Sequence, residues 1–410
     1  MPDETPIGIA WQDRIFHRRF LMAQAEHMFA SFAHRTLNPD GGFFGLDLAG
    51  APVPIIRELH ATTRLIYCFC LGEHLGIPGS MTMIDHGMSF LKTHHHDARH
   101  GGYFWSMGEN GSENSAKKAY GHAFVLMAGA AAKSVGHKDA DALLEDTADI
   151  IETRFWEETH GAVSEEASRD WSEKSTYRGQ NANMHMTEAL ITAFEVTGNR
   201  TFLDKAERIA ELIIGQHATR LDFRVAEHFH DDWTLDRSFS GDEIFRPEGT
   251  TPGHWLEWSR LLLQLWVAGG RKQDWMKHAA RALFRQAVAL GWDKTHGGFY
   301  YTLDWQNRPL RREKIWWPLT EAIGAAAFLN AHDPHPFHES CYRMFWTFAS
   351  AHMIDRENGS WHPELDETLA PVQRLFTGKH DLYHTLQACL IPLFPANGSL
   401  VAMIGQASHA

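Results

Sequence analysis

Apolar residues recur with a helical period along most of the chain. In ADALLEDTADIIETRFW, Leu144, Ala148, Ile151 and Phe155 fall at i, i+4, i+7 and i+11, and in TFLDKAERIAELII, Phe202, Ala206, Ile209 and Ile213 repeat the spacing. Each pattern predicts a helix with one buried stripe. Five short segments interrupt the helices and resemble one another: NPDGGFFGLDL (38–48), DARHGGYFWSM (97–107), EETHGAVSEEA (157–167), DKTHGGFYYTLDW (293–305) and DRENGSWHPELD (355–366). Four of the five read acid, two residues, His or Asn, then Gly, with an aromatic or β-branched residue two places on. Their first glycines stand at 41, 101, 161, 297 and 359, so the intervals are 60, 60, 136 and 62 and the long one spans two units. A degenerate copy is expected near 229, where RVAEHFHDDW (224–233) keeps the alternation without the glycines.

The roughly 45 residues between turns hold two helices and a short connection. Each glycine is expected to supply the positive-φ position that closes a helix. Six such units give about 12 helices, the number a closed ring of helix pairs, an (α/α)6 barrel, requires. An open solenoid is the alternative, and it would need polar end caps. No linker interrupts the pattern, so residues 1–396 read as one all-α domain with short hairpin-like loops, and 397–410 as a loosely held tail.

In a ring of this kind the second helix of every unit starts at the same end of the barrel. Polar residues do recur at that depth, just before an apolar run: His60 and Arg64; Tyr120 and His122; Asn181, Asn183, His185 and Glu188; His254 and Glu257; Trp316, Trp317 and Glu321; and His380, Asp381 and His384. Six sets in register predict a shared cavity.

The fourth set, TTPGHWLEWSR, has the grammar of a helix start, with Thr251 as N-cap and Pro252 at the first helical position. An imidazole in a first turn faces the positive end of the helix dipole, which favours its neutral, proton-accepting form. Glu257 lies one turn beyond His254, and His185 with Glu188 repeats the spacing. A single pair three apart reads as readily as an exposed helix pair; two at equivalent positions favour a cavity. Arg64 heads the apolar run LIYCFCL, where an arginine is costly unless the cavity is wet. One of Trp316 and Trp317 is expected in the core. Carboxylates at this depth look scarce for a metal: the di-iron motif has the reverse order and no H-E-x-x-H occurs. Two opposed acids for glycoside cleavage would be Glu257 and Glu321, but histidine dominates the set. Several imidazoles, an arginine and tryptophan walls suit proton transfer next to a sugar carbonyl better.

Composition narrows the partners. The chain of 410 residues carries 51 acidic and 38 basic side chains, a net charge of -13, with no basic block to attract nucleic acid. The opening residues lack the layout of a signal peptide and no apolar run reaches membrane-spanning length, so a cytoplasmic protein is expected. Cys68, Cys70, Cys341 and Cys389 make no zinc pattern. A negative chain also favours a neutral substrate.

The segments TRLIYCF (63–69), AYGHAF (119–124), NANMHMTEAL (181–190), PGHWLEWSRLL (252–262), KIWWPLTEA (314–322) and LYHTLQACL (382–390) together resemble the N-acylglucosamine 2-epimerase superfamily, which includes cellobiose 2-epimerases and bacterial aldose–ketose isomerases. The resemblance spans nearly the whole chain and implies an (α/α)6 barrel. It implies that Arg64 holds substrate oxygens, that Tyr120 and Asn181 contact the sugar, and that His185, His254 and His384 are the functional histidines, with Glu257 beside His254. Trp316, Trp317 and Glu321 join the expected substrate site. NANMH and PGHWLEWSRLL resemble the isomerase branch, which interconverts mannose-type aldoses, D-lyxose among them, with fructose-type ketoses. By the same likeness no metal or nucleotide is needed and the partner is a small monosaccharide. A 2-epimerase of an aldose or cellobiose-type sugar, an isomerase of a sulfonated hexose, and a sugar-binding scaffold remain as alternatives. The scaffold leaves the converging histidines unexplained. The expected chemistry moves a proton between C2 and C1 through a cis-enediol, with His384 acting on C2 and His254, oriented by Glu257, acting on hydroxyl protons.

Overall fold

A computed structural model describes residues 9–109, 111–379 and 382–408. His380 and Asp381 lie outside the described residues, as do 409 and 410 of the expected tail. Among the described residues there are 13 α-helices: α1 (Ile15–Arg35), α2 (Leu59–His74), α3 (Ser80–Phe90), α4 (Ala119–Ser134), α5 (Ala140–Ile150), α6 (Gln180–Thr197), α7 (Arg200–Ala210), α8 (Pro252–Ala268), α9 (Asp274–Gln286), α10 (Trp316–His332), α11 (Pro336–Phe348), α12 (Tyr383–Leu390) and α13 (Leu400–Ser408).

The even-numbered helices α2 to α12 form an inner ring. Each packs on the next, and α12 returns to α2 to close the circle. They are buried almost all round, as in AYGHAFVLMAGAAA of α4, where small residues let neighbouring helices approach. The odd-numbered helices α3 to α11 pack outside, each against the inner helix before it, and α1 packs against α12. These outer helices carry the amphipathic stripe; in α7, Leu203, Ala206, Ile209 and Ala210 face inward. Twelve helices thus make the expected (α/α)6 barrel.

The thirteenth lies across the end of the ring and touches α2, α4 and α6. Leu400, Val401, Met403 and Ile404 are buried there, so Leu400–Ser408 is a floor rather than the loose tail expected for 397–410. Its apolar side chains pack against three of the six inner helices.

Each repeat glycine has positive φ, but it does not close a helix as the sequence reading had it. The outer helices α3, α5, α7, α9 and α11 end in a π-helical turn, and the glycine belongs to the tight turn that follows. Gly101, Gly161, Gly297 and Gly359 donate their N–H to the carbonyls of Asp97, Glu157, Asp293 and Asp355. The acid of the motif has a second task. Asp97 takes Lys117 Nζ at 3.2 Å, Asp293 takes Lys314 at 2.9 Å, Asp355 takes Lys379 at 2.5 Å, and Glu157 takes Arg178 at 2.6 Å. Each of these cations stands just before an inner helix, so the turn of one helix pair anchors the start of the next inner helix.

Short strand links run around the same end. Arg57 pairs with Met107, Lys117 with Ala167, Arg178 with Phe229, Thr250 with Leu303, Lys314 with Leu365, and Lys379 with Leu46. These six links hold the inner-helix N-termini at one depth.

Burial alone would raise the Asp97, Asp293 and Asp355 carboxyls; Arg169 at Asp97, the lysine ammoniums and adjoining backbone N–H groups outweigh it, leaving all three below the usual range and Asp355 at about 2. Their folded values lie below the unfolded value of about 3.9, so the unfolded chain takes up protons first as the medium is acidified. The stability they contribute is therefore complete above about pH 5 and is lost progressively below about pH 4. Denaturation midpoints measured from pH 6 to pH 3 should fall along that slope, and Asp293→Asn should flatten it.

Candidate active site

Nine of the ten expected site residues line one pocket at the mouth of the ring, with about 220 Å³ of free space. Arg64, Tyr120, Asn181, His185, His254, Glu257, Trp316, Trp317 and His384 all reach it, and Glu58, His60, Phe245 and Phe376 complete much of the wall. The volume lies below the roughly 300–1,000 Å³ of drug-sized pockets and suits one small polar molecule. Trp316 and Trp317 both line it and both also pack into the buried core, so the expected split into one wall residue and one core residue does not occur. Gly253 makes room for this wall, because a Cβ there would stand 2.4 Å from the Trp317 ring. The Trp317 ring centroid thereby lies 5.0 Å from that of His254 and 5.9 Å from that of His384.

Thr251 has the extended backbone of an N-cap, with Pro252 at the start of α8, but its side chain makes no capping bond. Its N–H instead donates to Glu227 Oε1 at 3.2 Å. The same carboxylate holds His254 Nδ1 at 2.9 Å and receives Gln180 Nε2 at 2.8 Å. The partner of His254 is therefore Glu227 and not Glu257. A carboxylate on Nδ1 fixes the ring proton there and leaves Nε2 as a base. His384 is held in the same way, its Nδ1 3.0 Å from Glu321 Oε1. Glu321 lies behind His384, outside the pocket wall, and takes Arg260 Nε at 2.9 Å. Burial alone would raise both carboxyls. His254 and Gln180 outweigh it at Glu227, as do Arg260 and His384 at Glu321, so both are lowered and remain anionic.

Glu257 belongs to a different group, beneath the pocket. Arg260, fully buried, reaches Glu188 at 3.0 Å and Glu257 at 3.5 Å in addition to Glu321. Tyr383 hydroxyl donates to Glu188. Burial, and then the charge of Glu321, push Glu257 well above the carboxylate range despite Arg260, whereas Arg260 and His185 overcome burial at Glu188 and bring it to about 2. Glu257 is thus the member of the three in which the neutral form is most favoured. His185 Nδ1 is 3.6 Å from both Glu188 and Glu257, and burial lowers this imidazole to about 4 despite Glu188, so it is neutral at physiological pH. His185, Glu188 and Glu257 present donor atoms within 4.8 Å of one another, so carboxylates at this depth are not scarce. Arg260 already supplies their counter-charge.

Arg64 Nη2 donates to the Tyr120 hydroxyl at 3.0 Å, and its guanidinium lies over the Phe124 and Tyr383 rings. Asn181 Nδ2 donates to Phe245 O, which ties α6 to the loop that carries Ile244 and Phe245 across the mouth. Tyr301 hydroxyl holds the same loop through the carbonyls of Glu243 and Ile244. Two residues from the repeat register serve the scaffold instead. His122 accepts Tyr103 N–H and donates to Lys118 O, and Asn183 brackets Val163.

The ring is an (α/α)6 barrel, and its relatives place the chain among the isomerases. The chain belongs to the N-acylglucosamine 2-epimerase (GlcNAc 2-epimerase) family, whose profile matches residues 41–388. It is 40% identical to a D-mannose isomerase of Pseudomonas cannabina pv. alisalensis, covering 97% of each chain, and 40% identical to a D-mannose isomerase of Thermobifida fusca, covering 96% of this chain and 98% of that one. A crystal structure of D-mannose isomerase superposes with a TM-score of 0.86 at 34% identity, over 92% of this chain and 97% of the other. Among the described residues no helix is long and apolar enough to cross a membrane.

Proposed function

We propose that the protein interconverts D-mannose and D-fructose, and handles related aldoses such as D-lyxose, through a cis-enediol. The observation that carries this reading is the pair of imidazoles, His254 and His384, each with Nδ1 held by a buried carboxylate and its other nitrogen free to exchange a proton. The resemblance to named D-mannose isomerases supports the choice of sugar.

The open-chain sugar lies with its carbonyl oxygen toward Arg64 and His185. His384 Nε2 takes the C2 proton, the C2 electron pair forms the C1–C2 double bond, and the carbonyl oxygen takes up the negative charge of the enediolate, held by Arg64. His384 returns the proton at C1 while His254 Nε2 takes the C2 hydroxyl proton, leaving the C2 ketone, and passes that proton to the C1 oxygen, which becomes the hydroxyl. Imidazolium formed on either ring is stabilised by Glu321 or Glu227. Glu257, protonated, donates a hydrogen bond at the pocket floor. No metal or nucleotide enters the scheme. The four free, buried cysteines fit a reducing cytoplasmic setting.

Two carboxylate-backed bases also suit a 2-epimerase, in which one base removes the C2 proton and the other returns one from the opposite face. Incubation of mannose in deuterated water separates the two. Deuterium at C1 of fructose is expected; deuterium at C2 of glucose without ketose would replace this reading with epimerisation.

A further inference from the structure

The reading of the pocket as a monosaccharide isomerase leaves one charged wall residue without a task. Glu58 ends the strand link before α2, across the ring from α8 and its His254. Its carboxylate lies 3.7 Å from His60 Nε2, and that imidazole is stacked on Trp105 with ring centroids 5.2 Å apart. Asp242, on the loop over the mouth, adds a negative charge toward Glu58, set against the stronger attraction of Lys118 and Arg64. Among the described wall residues Arg64 is the one fixed cation, and it is turned toward Tyr120 and stacked on Phe124 and Tyr383. Lys118 is outside the wall, over the Trp105 ring at 4.3 Å, where Glu165 and Glu166 also face it. The side of the pocket across from His254 therefore presents the Glu58 carboxylate, with hydrogen-bond acceptors to offer.

We propose that Glu58 is a specificity residue: it accepts a hydroxyl on the part of the sugar remote from the reacting carbons and turns away hexoses that carry phosphate or sulfonate there. The argument is one of like charge. A half-buried carboxylate attracts a hydroxyl donor and repels an anionic substituent in surroundings where screening is incomplete. This rests on the proposed function, and it assigns the preference for an uncharged sugar to a named side chain.

The test compares wild type, Glu58→Gln and Glu58→Asp at pH 8, where a phosphomonoester carries close to two negative charges. The readout is the ratio of kcat/KM for mannose 6-phosphate to that for mannose, alongside the ratio of affinities for mannitol 6-phosphate and mannitol by calorimetry. Glu58→Gln is expected to raise both ratios by roughly tenfold or more, with the mannose loss in KM, while Glu58→Asp keeps the wild-type preference. The polyol comparison reads the gate without turnover, so it separates a failure of the proposal from a failure of the isomerase reading. Equal preference in wild type and Glu58→Gln, including no binding of either polyol by either protein, overturns the proposal.

Discussion

Alanine at His384 lowers mannose-to-fructose turnover by roughly 10²–10⁴-fold, the usual worth of a positioned general acid–base group, while the thermal unfolding midpoint stays near that of the parent. The same holds for His254. His384 is close to the surface of the pocket and its Nδ1 contact to Glu321 is a single bond, so truncation leaves a small wet space and the carboxylate keeps Arg260. The companion variant is Glu227→Gln. It keeps the shape of the side chain that holds His254 Nδ1 but removes the charge that stabilises an imidazolium, as in the serine-protease triad. A loss in kcat of roughly 10-fold or more is expected, with little change in KM. Parallel steady-state kinetics and melting curves check the set, and near-parent turnover in folded His384→Ala would remove His384 from the scheme.

The second large effect concerns stability. Arg260 is buried on α8 and is the counter-charge for Glu188 and Glu321, with Glu257 a third contact. Arg260→Met keeps much of the volume and removes the charge. Breaking a buried ion pair from one side costs about 3–5 kcal/mol, because the remaining charge stays desolvated, and here two carboxylates are stranded together. The variant also carries a pH signature opposite to that of the loop carboxylates. Without Arg260, burial raises the Glu188 and Glu321 carboxyls above their unfolded values, so folding takes up protons. Stability of Arg260→Met should then rise as pH falls from 7 toward 5, whereas the parent gains nothing over that range from these groups. Denaturant unfolding at several pH values measures both the drop and its slope.

The repeat of glycine turns made the barrel legible, because glycines at 41, 101, 161, 297 and 359 recur at near-constant spacing and apolar stripes fill the intervals. The pocket was legible for the same reason: register places Arg64, Tyr120, His185, His254 and His384 at one depth. Register does not say which way a side chain turns. Glu257 and Glu321 fit it equally well, yet one ends on the floor and the other behind His384, because both turn toward Arg260. Arg260 itself carried a readable sign. It interrupts the apolar run of α8 as Arg64 heads that of α2, and the same cost of burial applies to both. Glu227 carried no such sign. It lies in the degenerate unit, where the motif that would place it is lost, and only the fold brings it 27 positions back to His254. The floor helix was missed because nine residues of weak pattern show no partner until the ring exists to receive them.

The closure of the ring has a consequence for how the chain is made. The last inner helix, α12, shuts the circle by packing on α2 and on α1, and Trp11 N–H reaches Glu339 across 328 positions. During synthesis five of the six helix pairs can emerge and stack on their neighbours, but α1 and α2 wait with their facing surfaces bare. The pocket that collects Arg64 from α2 and His384 from α12 exists only after residue 390 has left the ribosome. Contacts so distant in sequence form late and slowly, so the nascent chain spends most of its synthesis as an open arc with two adhesive ends, the state in which a second arc would be the competing partner.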